Sequence, residues 1–423
     1  MKRVSVACLG FLLCIPLLFL SSCASSGKKK PDTAESKSNY AGVRLGRPGP
    51  SKGAVEPAKV FLTDDPSIVA AVDFRDLKDP IEVRWDWLNP DDLVYISVSK
   101  KAGPSGGLTY PKSAFVHALN VDGEDAATRP GLWSLDVFVD GKLKESIKFN
   151  IEPGLTSFRA PRVGPDAKKW AFVVGIERYQ NLPPVEFAAM DARKVANYFQ
   201  YLLGVPGQNV VLLENEKATR SAVTARLKDY LSKNVDPDSV VYVYFAGHGM
   251  PDVASGEAYL ALYDTEATNI SRTGYRVKEY LADIGALNVK SSYVFTDACF
   301  SGVASRGEKM LIPGARPAML HVEDESLATG KVVAMGATTG SQLSHSYSDK
   351  RHGLFTFYLL SGLRGQADVD GNGSVTMGEL YAYVKENVGR VSRRTAMEQV
   401  PSVTPRIENV GESPLLVLPR DGK

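Results

Sequence analysis

Val240-Val-Tyr-Val-Tyr-Phe-Ala-Gly-His248-Gly249 and Ser292-Tyr-Val-Phe-Thr-Asp297-Ala-Cys299-Phe-Ser-Gly302 are two short apolar runs, each ending in a reactive side chain. Both are rich in β-branched and aromatic residues and both break at glycine, the pattern of a buried strand feeding a loop. In a parallel sheet covered by helices, the loops at the carboxyl ends of the strands form the ligand crevice. Neighbouring strands of this kind bring an imidazole and a thiol together at one rim, the minimal equipment of a cysteine nucleophile with its base. His248 and Cys299 are therefore the candidate catalytic pair.

On either side, strands and helices alternate. Trp170-Ala-Phe-Val-Val-Gly175-Ile reads as a buried strand, and 209–213, 240–246, 292–296 and 331–336 as further strands. Residues 220–232, 277–287 and 354–363 read as helices. This alternation predicts an α/β fold, a mostly parallel sheet with helices on both faces. Ala188, Asp191, Val195, Tyr198, Phe199 and Leu202 recur at steps of three and four, so they share one helix face. Asp191 on that apolar stripe serves either the helix dipole or a site.

Taken together, the strand at Trp170, the Ala188-Ala-Met-Asp191-Ala helix, Tyr-Phe-Ala-Gly-His248-Gly249 and Thr-Asp297-Ala-Cys299-Phe-Ser-Gly resemble the caspase-like cysteine peptidases, in particular the bacterial metacaspase or orthocaspase type. The 51 residues from His248 to Cys299 agree with the family's spacing. The resemblance implies attack of a thiolate on a peptide carbonyl with His248 as acid and base. It assigns the oxyanion to the backbone N–H groups of Gly249 and Cys299. It further implies that Asp191 and Asp297 line the pocket for the residue before the cut, with Ala188 and Ala246 beside them. Two carboxylates in a partly dry pocket attract a basic side chain, Arg more than Lys because it pairs bidentately. The expected substrate is thus a protein or peptide with Arg or Lys before the cut, and the chemistry requires no cofactor. The competing expectation is a catalytically silent caspase-like domain acting as a binding or scaffold lipoprotein of the cell envelope. Arg306, Lys309 and Arg316, in the long polar stretch 303–330, are candidate self-cleavage points.

Of the four cysteines, Cys8 and Cys14 lie in an apolar leader and Cys23 just past it, so Cys299 is the only thiol of the globular part. Lys2 and Arg3, the apolar run from Val4 to Leu20 and Leu20-Ser-Ser-Cys23 make residues 1–23 resemble a bacterial lipoprotein signal. That resemblance implies lipidation of Cys23, acyl-chain anchoring in a lipid bilayer, and a location in the cell envelope outside the cytoplasm, at the outer membrane or periplasmic side. Residues 24–58, rich in Ser, Gly, Pro and Lys, are expected to be a flexible linker.

From 59 to 153 the period changes to two: Ile81, Val83, Trp85 and Trp87, then Trp133, Leu135, Val137 and Val139, and after the hairpin signal Asp140-Gly141, Ile147, Phe149 and Ile151. This predicts a small all-β sandwich of the Ig-like kind, a spacer or binding module without chemistry of its own. Residues 154–168 read as a second linker, 169–395 as the peptidase domain and 396–423 as a C-terminal segment. A net charge of +2 with no long basic stripe leaves nucleic acid out of the expected partners.

Asp368-Val-Asp370-Gly-Asn372-Gly373-Ser374-Val-Thr376-Met-Gly-Glu379 matches the EF-hand loop. Asp368, Asp370, Asn372 and Glu379 would offer side-chain oxygens to Ca2+, Ser374 its carbonyl, and Thr376 an oxygen directly or through water. The other reading of the same residues is an acidic turn that caps the following helix. His117, His321, His345 and His352 show no metal-ligand spacing and are expected to be surface or loop residues.

Overall fold

The structure, a computed structural model, describes residues 39–418 apart from 52, 105, 159–161, 253, 299–330, 339–343, 395–397 and 413. Cys23, Cys299, Arg306, Lys309, Arg316 and His321 lie outside the described residues. So does the whole of residues 1–38.

Between residues 40 and 152 the chain builds two packed sheets. β1 (Tyr40–Pro48), β2 (Val55–Pro57), β4 (Ser67–Leu77) and β7 (Tyr110–Asn120) pair in the order β2-β1-β4-β7. β3 (Val60–Leu62), β5 (Ile81–Leu88), β6 (Val94–Ala102), β8 (Gly131–Val139) and β9 (Lys142–Glu152) pair in the order β3-β9-β8-β5-β6. Alternation turns Ile81, Val83, Trp85 and Trp87 inward, where they meet Trp133, Phe149 and Phe74 between the sheets. Asp140 and Gly141, at φ 45° and 75°, form the tight turn from β8 to β9, the primed geometry that matches strand twist.

The expectation of a flexible linker over 24–58 does not hold for its second half, where 40–48 and 55–57 are β1 and β2. Tyr40 to Gly46 pair with β4, and Arg44 Nε donates to Asp73 across that register at 2.6 Å. Interspersed Gly and Arg dilute the apolar alternation of β1, so its pairing comes from β4 rather than from its own pattern.

The second unit is a six-stranded sheet. β10 (Lys169–Gly175), β11 (Val210–Glu214), β12 (Val240–Ala246), β16 (Ser291–Asp297) and β17 (Val332–Gly336) run parallel in the order β11-β10-β12-β16-β17. Successive β10 residues face opposite layers. Ala171 and Val173 pack under the helices Ala188–Tyr201, Leu354–Ser361 and Met377–Arg394, whereas Trp170, Phe172 and Val174 meet the helical stretch 220–234 and the helix Val277–Gly285. Burial on both faces is why these strands read as continuous apolar runs.

Smaller pairings surround the sheet: β13 (Gly249–Pro251) with β14 (Ala258–Leu260) and β15 (Tyr275–Arg276), and β18 (Ser346–Tyr347) with β19 (His352–Gly353). β20 (Ser374–Thr376) pairs with β22 (Pro414–Val417), and β21 (Ser402–Thr404) adds antiparallel to β17. The C-terminal segment expected beyond 395 is therefore part of the peptidase unit. Two strands this short, flanked by prolines and acids, carry no periodic signal of their own.

The linker 154–168 is likewise held: Leu155 is buried, Ser157 N donates to Asp122 at 2.8 Å and Phe158 N to Asn197 at 2.8 Å. Pro165 marks irregular backbone that is nonetheless fixed in place, since Asp166 N donates to Gly204 O at 2.8 Å. The two units meet through ion pairs. Asp65, in the turn after β3, takes both Arg47 and Arg351, and Asp122 takes Lys194 at 2.8 Å. No helix among the described residues is long and apolar enough to cross a membrane.

Candidate active site

β12 and β16 are adjacent and in register through Ala246 and Asp297, and Gly247 N donates to Asp297 O at 3.2 Å. Their carboxyl ends open into one cleft lined by Ala188, Asp191, Ala246, His248, Asp297, Ala298, Ser344, His345 and Gly353, among others. Cys299 is the next residue after Ala298. Gly249 opens β13 and is buried beside His248.

His248 is fixed from two sides. Its backbone N donates to Tyr179 Oη at 2.8 Å, and the two rings lie 5.1 Å apart. Nε2 lies 2.9 Å from the Pro183 carbonyl. A carbonyl only accepts, so Nε2 carries the hydrogen and Nδ1 keeps its lone pair. Burial pushes the ring down to about 4, with the Pro183 carbonyl opposing, so the imidazole is neutral near pH 7 and able to take a proton. Gly247 is required next to it, because a Cβ there would come within 2.5 Å of Tyr179 Oη.

The floor of the cleft is acidic. Asp297 Oδ1 accepts from Ser344 Oγ at 2.5 Å, and Oδ2 from Thr356 Oγ1 at 2.6 Å. Burial raises its carboxyl to about 6, against those hydrogen bonds and with a contribution from Asp191. Asp191 sits in the first turn of its helix, which the chain enters through Phe187 at φ 69°, a left-handed conformation uncommon for a bulky residue. Its Oδ2 accepts from Gly353 N at 2.8 Å. Gly353 separates the two acids: a Cβ would lie 2.3 Å from Asp297 Oδ2 and 3.2 Å from Asp191 Oδ2.

The histidines require a correction. His352 is completely buried, its Nδ1 bonded to Asp191 Oδ1 and its Nε2 2.7 Å from Asp64 Oδ2, which belongs to the β-sandwich. Burial alone would lower His352, but the two carboxylates outweigh it and raise it to about 9. His345 is buried and lines the cleft, and His117 is half-buried, accepting at Nδ1 from Trp87 Nε1 at 3.1 Å. These rings are buried by chain segments distant in sequence, so local pattern could not show it. Pro183, Tyr179, Ser344, Thr356, Gly353 and Asp64 carried no sequence signal for the same reason.

Away from the cleft, one oxygen each of Asp368, Asp370 and Glu379 lie within 4.8 Å of one another. Asp368 Oδ2 accepts from Gly373 N at 3.0 Å, and Gly371 and Gly373 take φ 70° and 82°. An all-oxygen set with three carboxylates suits a hard cation. Glu379 also caps: its Oε2 accepts from Thr376 N at 2.9 Å while Glu379 N donates to Thr376 Oγ1 at 3.2 Å, a capping box.

The family model of the caspase domain matches residues 168–409. Among solved structures, the "structure of pro-sf-caspase-1" is 15% identical, with a TM-score of 0.38, covering 56% of this chain and 86% of that one. An immunoglobulin-like protein (PA1606) from Pseudomonas aeruginosa is 14% identical, with a TM-score of 0.20, covering 28% of this chain and 99% of that one. No curated protein matches in sequence.

Proposed function

Because this chain belongs to the caspase domain family, a cysteine-peptidase type of fold acting on proteins, we propose that it is an endopeptidase using His248 and Cys299 and cutting after Arg or Lys. The observation that carries the reading is the single cleft shared by His248, Asp191, Asp297 and Ala298. His248 takes the thiol proton at Nδ1, the thiolate attacks the scissile carbonyl, and the N–H groups of Gly249 and Cys299 receive the oxyanion. The imidazolium then returns its proton to the leaving amine, and water, activated by the same ring, releases the acyl group. Asp191 and Asp297, with Ala188 and Ala246 leaving room beside them, receive the guanidinium. Fluorogenic peptides ending in Arg and in Asp, offered to the wild type and to Cys299→Ala, test this. Turnover of the Arg peptide alone, abolished in the variant, is expected; equal turnover of both peptides refutes the acidic pocket, and activity surviving Cys299→Ala refutes the nucleophile.

The same reading includes lipidation at Cys23, holding the enzyme on the outer membrane or periplasmic side of the envelope, and Ca2+ at Asp368, Asp370, Asn372, Ser374, Thr376 and Glu379. The oxygen cluster supports the cation site, whose role would be to brace the turn between two helices.

A further inference from the structure

We propose that Asp64 of the β-sandwich is a positioning residue for the pocket of the peptidase domain: by balancing the charge of His352, it leaves Asp191 its full negative charge for the basic side chain of the substrate. This rests on the Arg/Lys reading of the pocket and gives the β-sandwich a part in it.

His352 lies between two carboxylates drawn from different domains, with Asp191 at Nδ1 and Asp64 at Nε2. Ionised carboxylates only accept, so both contacts are hydrogen bonds only when both ring nitrogens carry hydrogen, which makes the ring an imidazolium. All three side chains are at most 3% exposed, so water does little to screen them. An imidazolium beside Asp191 alone would cancel the acid that is to meet the substrate. Asp64 supplies the compensating charge from the far side of the ring, and the trio keeps one net negative charge.

Two cations beside the trio are already matched. Lys194, on the helix of Asp191, is paired with Asp122 at 2.8 Å. Arg351, beside His352 in the chain, is paired with Asp65. Asp297 faces Asp191 across Gly353 and is held by Ser344 and Thr356. Asp64 is thus the group whose loss unbalances His352.

The test is calorimetric binding of an acetylated peptide amide ending in Arg to the full chain carrying Cys299→Ala, so that turnover does not intrude, between pH 6 and pH 9. Adding Asp64→Asn is expected to weaken binding about tenfold at pH 6.5, with the gap closing toward pH 9 as the unbalanced imidazolium loses its proton. Asp73→Asn breaks the exposed pair with Arg44 in the sandwich but leaves the charges around His352 and both its bonds in place, and is expected to bind as the parent does at every pH. The neutral pair Asp64→Asn with His352→Gln leaves no charge to balance and is expected to restore parental affinity. It also stands in for Asp64→Asn should a melting curve show that variant unfolded.

Equal affinity of Asp64→Asn and its parent at pH 6.5 overturns the proposal. So does a loss that is constant with pH, or a neutral pair as weak as the single variant. A parent that does not bind the Arg peptide, or prefers one ending in Asp, overturns the basic pocket itself and this proposal with it. A parent that prefers Arg and is indifferent to Asp64 overturns the proposal alone.

Discussion

Asp297 is buried at the bottom of the cleft, and burial raises its carboxyl to about 6. A carboxyl with a raised value is protonated as pH falls through that value, so attraction for a guanidinium declines there. The affinity for an Arg-ending inhibitor should therefore drop by several-fold between about pH 7 and pH 5, beyond any change shown by a neutral analogue. Thr356→Val removes the hydroxyl that donates to Asp297 and lies 2.6 Å from Tyr244 Oη. Losing a donor to the charged form raises a carboxyl further, so the midpoint of the affinity profile should move to higher pH; a midpoint that stays or falls counts against Asp297 as the titrating acid. Gly353→Ala is expected to cost at least tenfold in kcat/KM for the Arg peptide, because the new Cβ would stand 2.3 Å from Asp297 Oδ2, between the acids.

At the scale of elements, β19 delivers His352 under the helix Ala188–Tyr201, and the turn after β3 closes over it with Asp64. The folded His352, at about 9, lies above its ordinary value of 6.5. Such a group contributes its full stability below the unfolded value and loses it as pH rises through the folded one. The chain should thus lose on the order of 3 kcal/mol between about pH 6.5 and pH 9, read as a falling urea midpoint, and His352→Gln should flatten that slope. An unchanged slope in the variant would assign the loss to other groups. In the acidic loop between the helix Leu354–Ser361 and the helix Met377–Arg394, calorimetry should register Ca2+ binding that disappears in Asp368→Ala with Glu379→Ala. Glu379 also belongs to the capping box, so this double variant should in addition lower stability by about 1 kcal/mol without Ca2+. Stability loss with no Ca2+ binding in the wild type would leave the cap as the loop's role.

Across the whole molecule, a lipid anchor at Cys23 would hold the β-sandwich nearest the bilayer in sequence, with the peptidase unit beyond it. Cys23→Ser is expected to move the protein from the membrane fraction to the soluble one, and retention in the membrane fraction would exclude acyl anchoring. The α/β order of the peptidase unit was legible from the chain alone because strands buried on both faces are long apolar runs and their helices repeat at three and four residues. The β-sandwich was legible from period-two alternation around Trp85 and Trp133. Both are local properties, so the sequence by itself determined two units of different architecture and marked His248 and Asp297 at neighbouring strand tips. What only the tertiary structure decided is what those residues face: that Pro183 sets the tautomer of His248, that β1 and β21 complete sheets their own patterns do not announce, and that Asp64 and Asp191, 127 residues apart, share one buried imidazole. Charge pairing of this kind leaves no periodic trace, because its energy comes from groups brought together in a dry interior rather than from the spacing of residues along the chain.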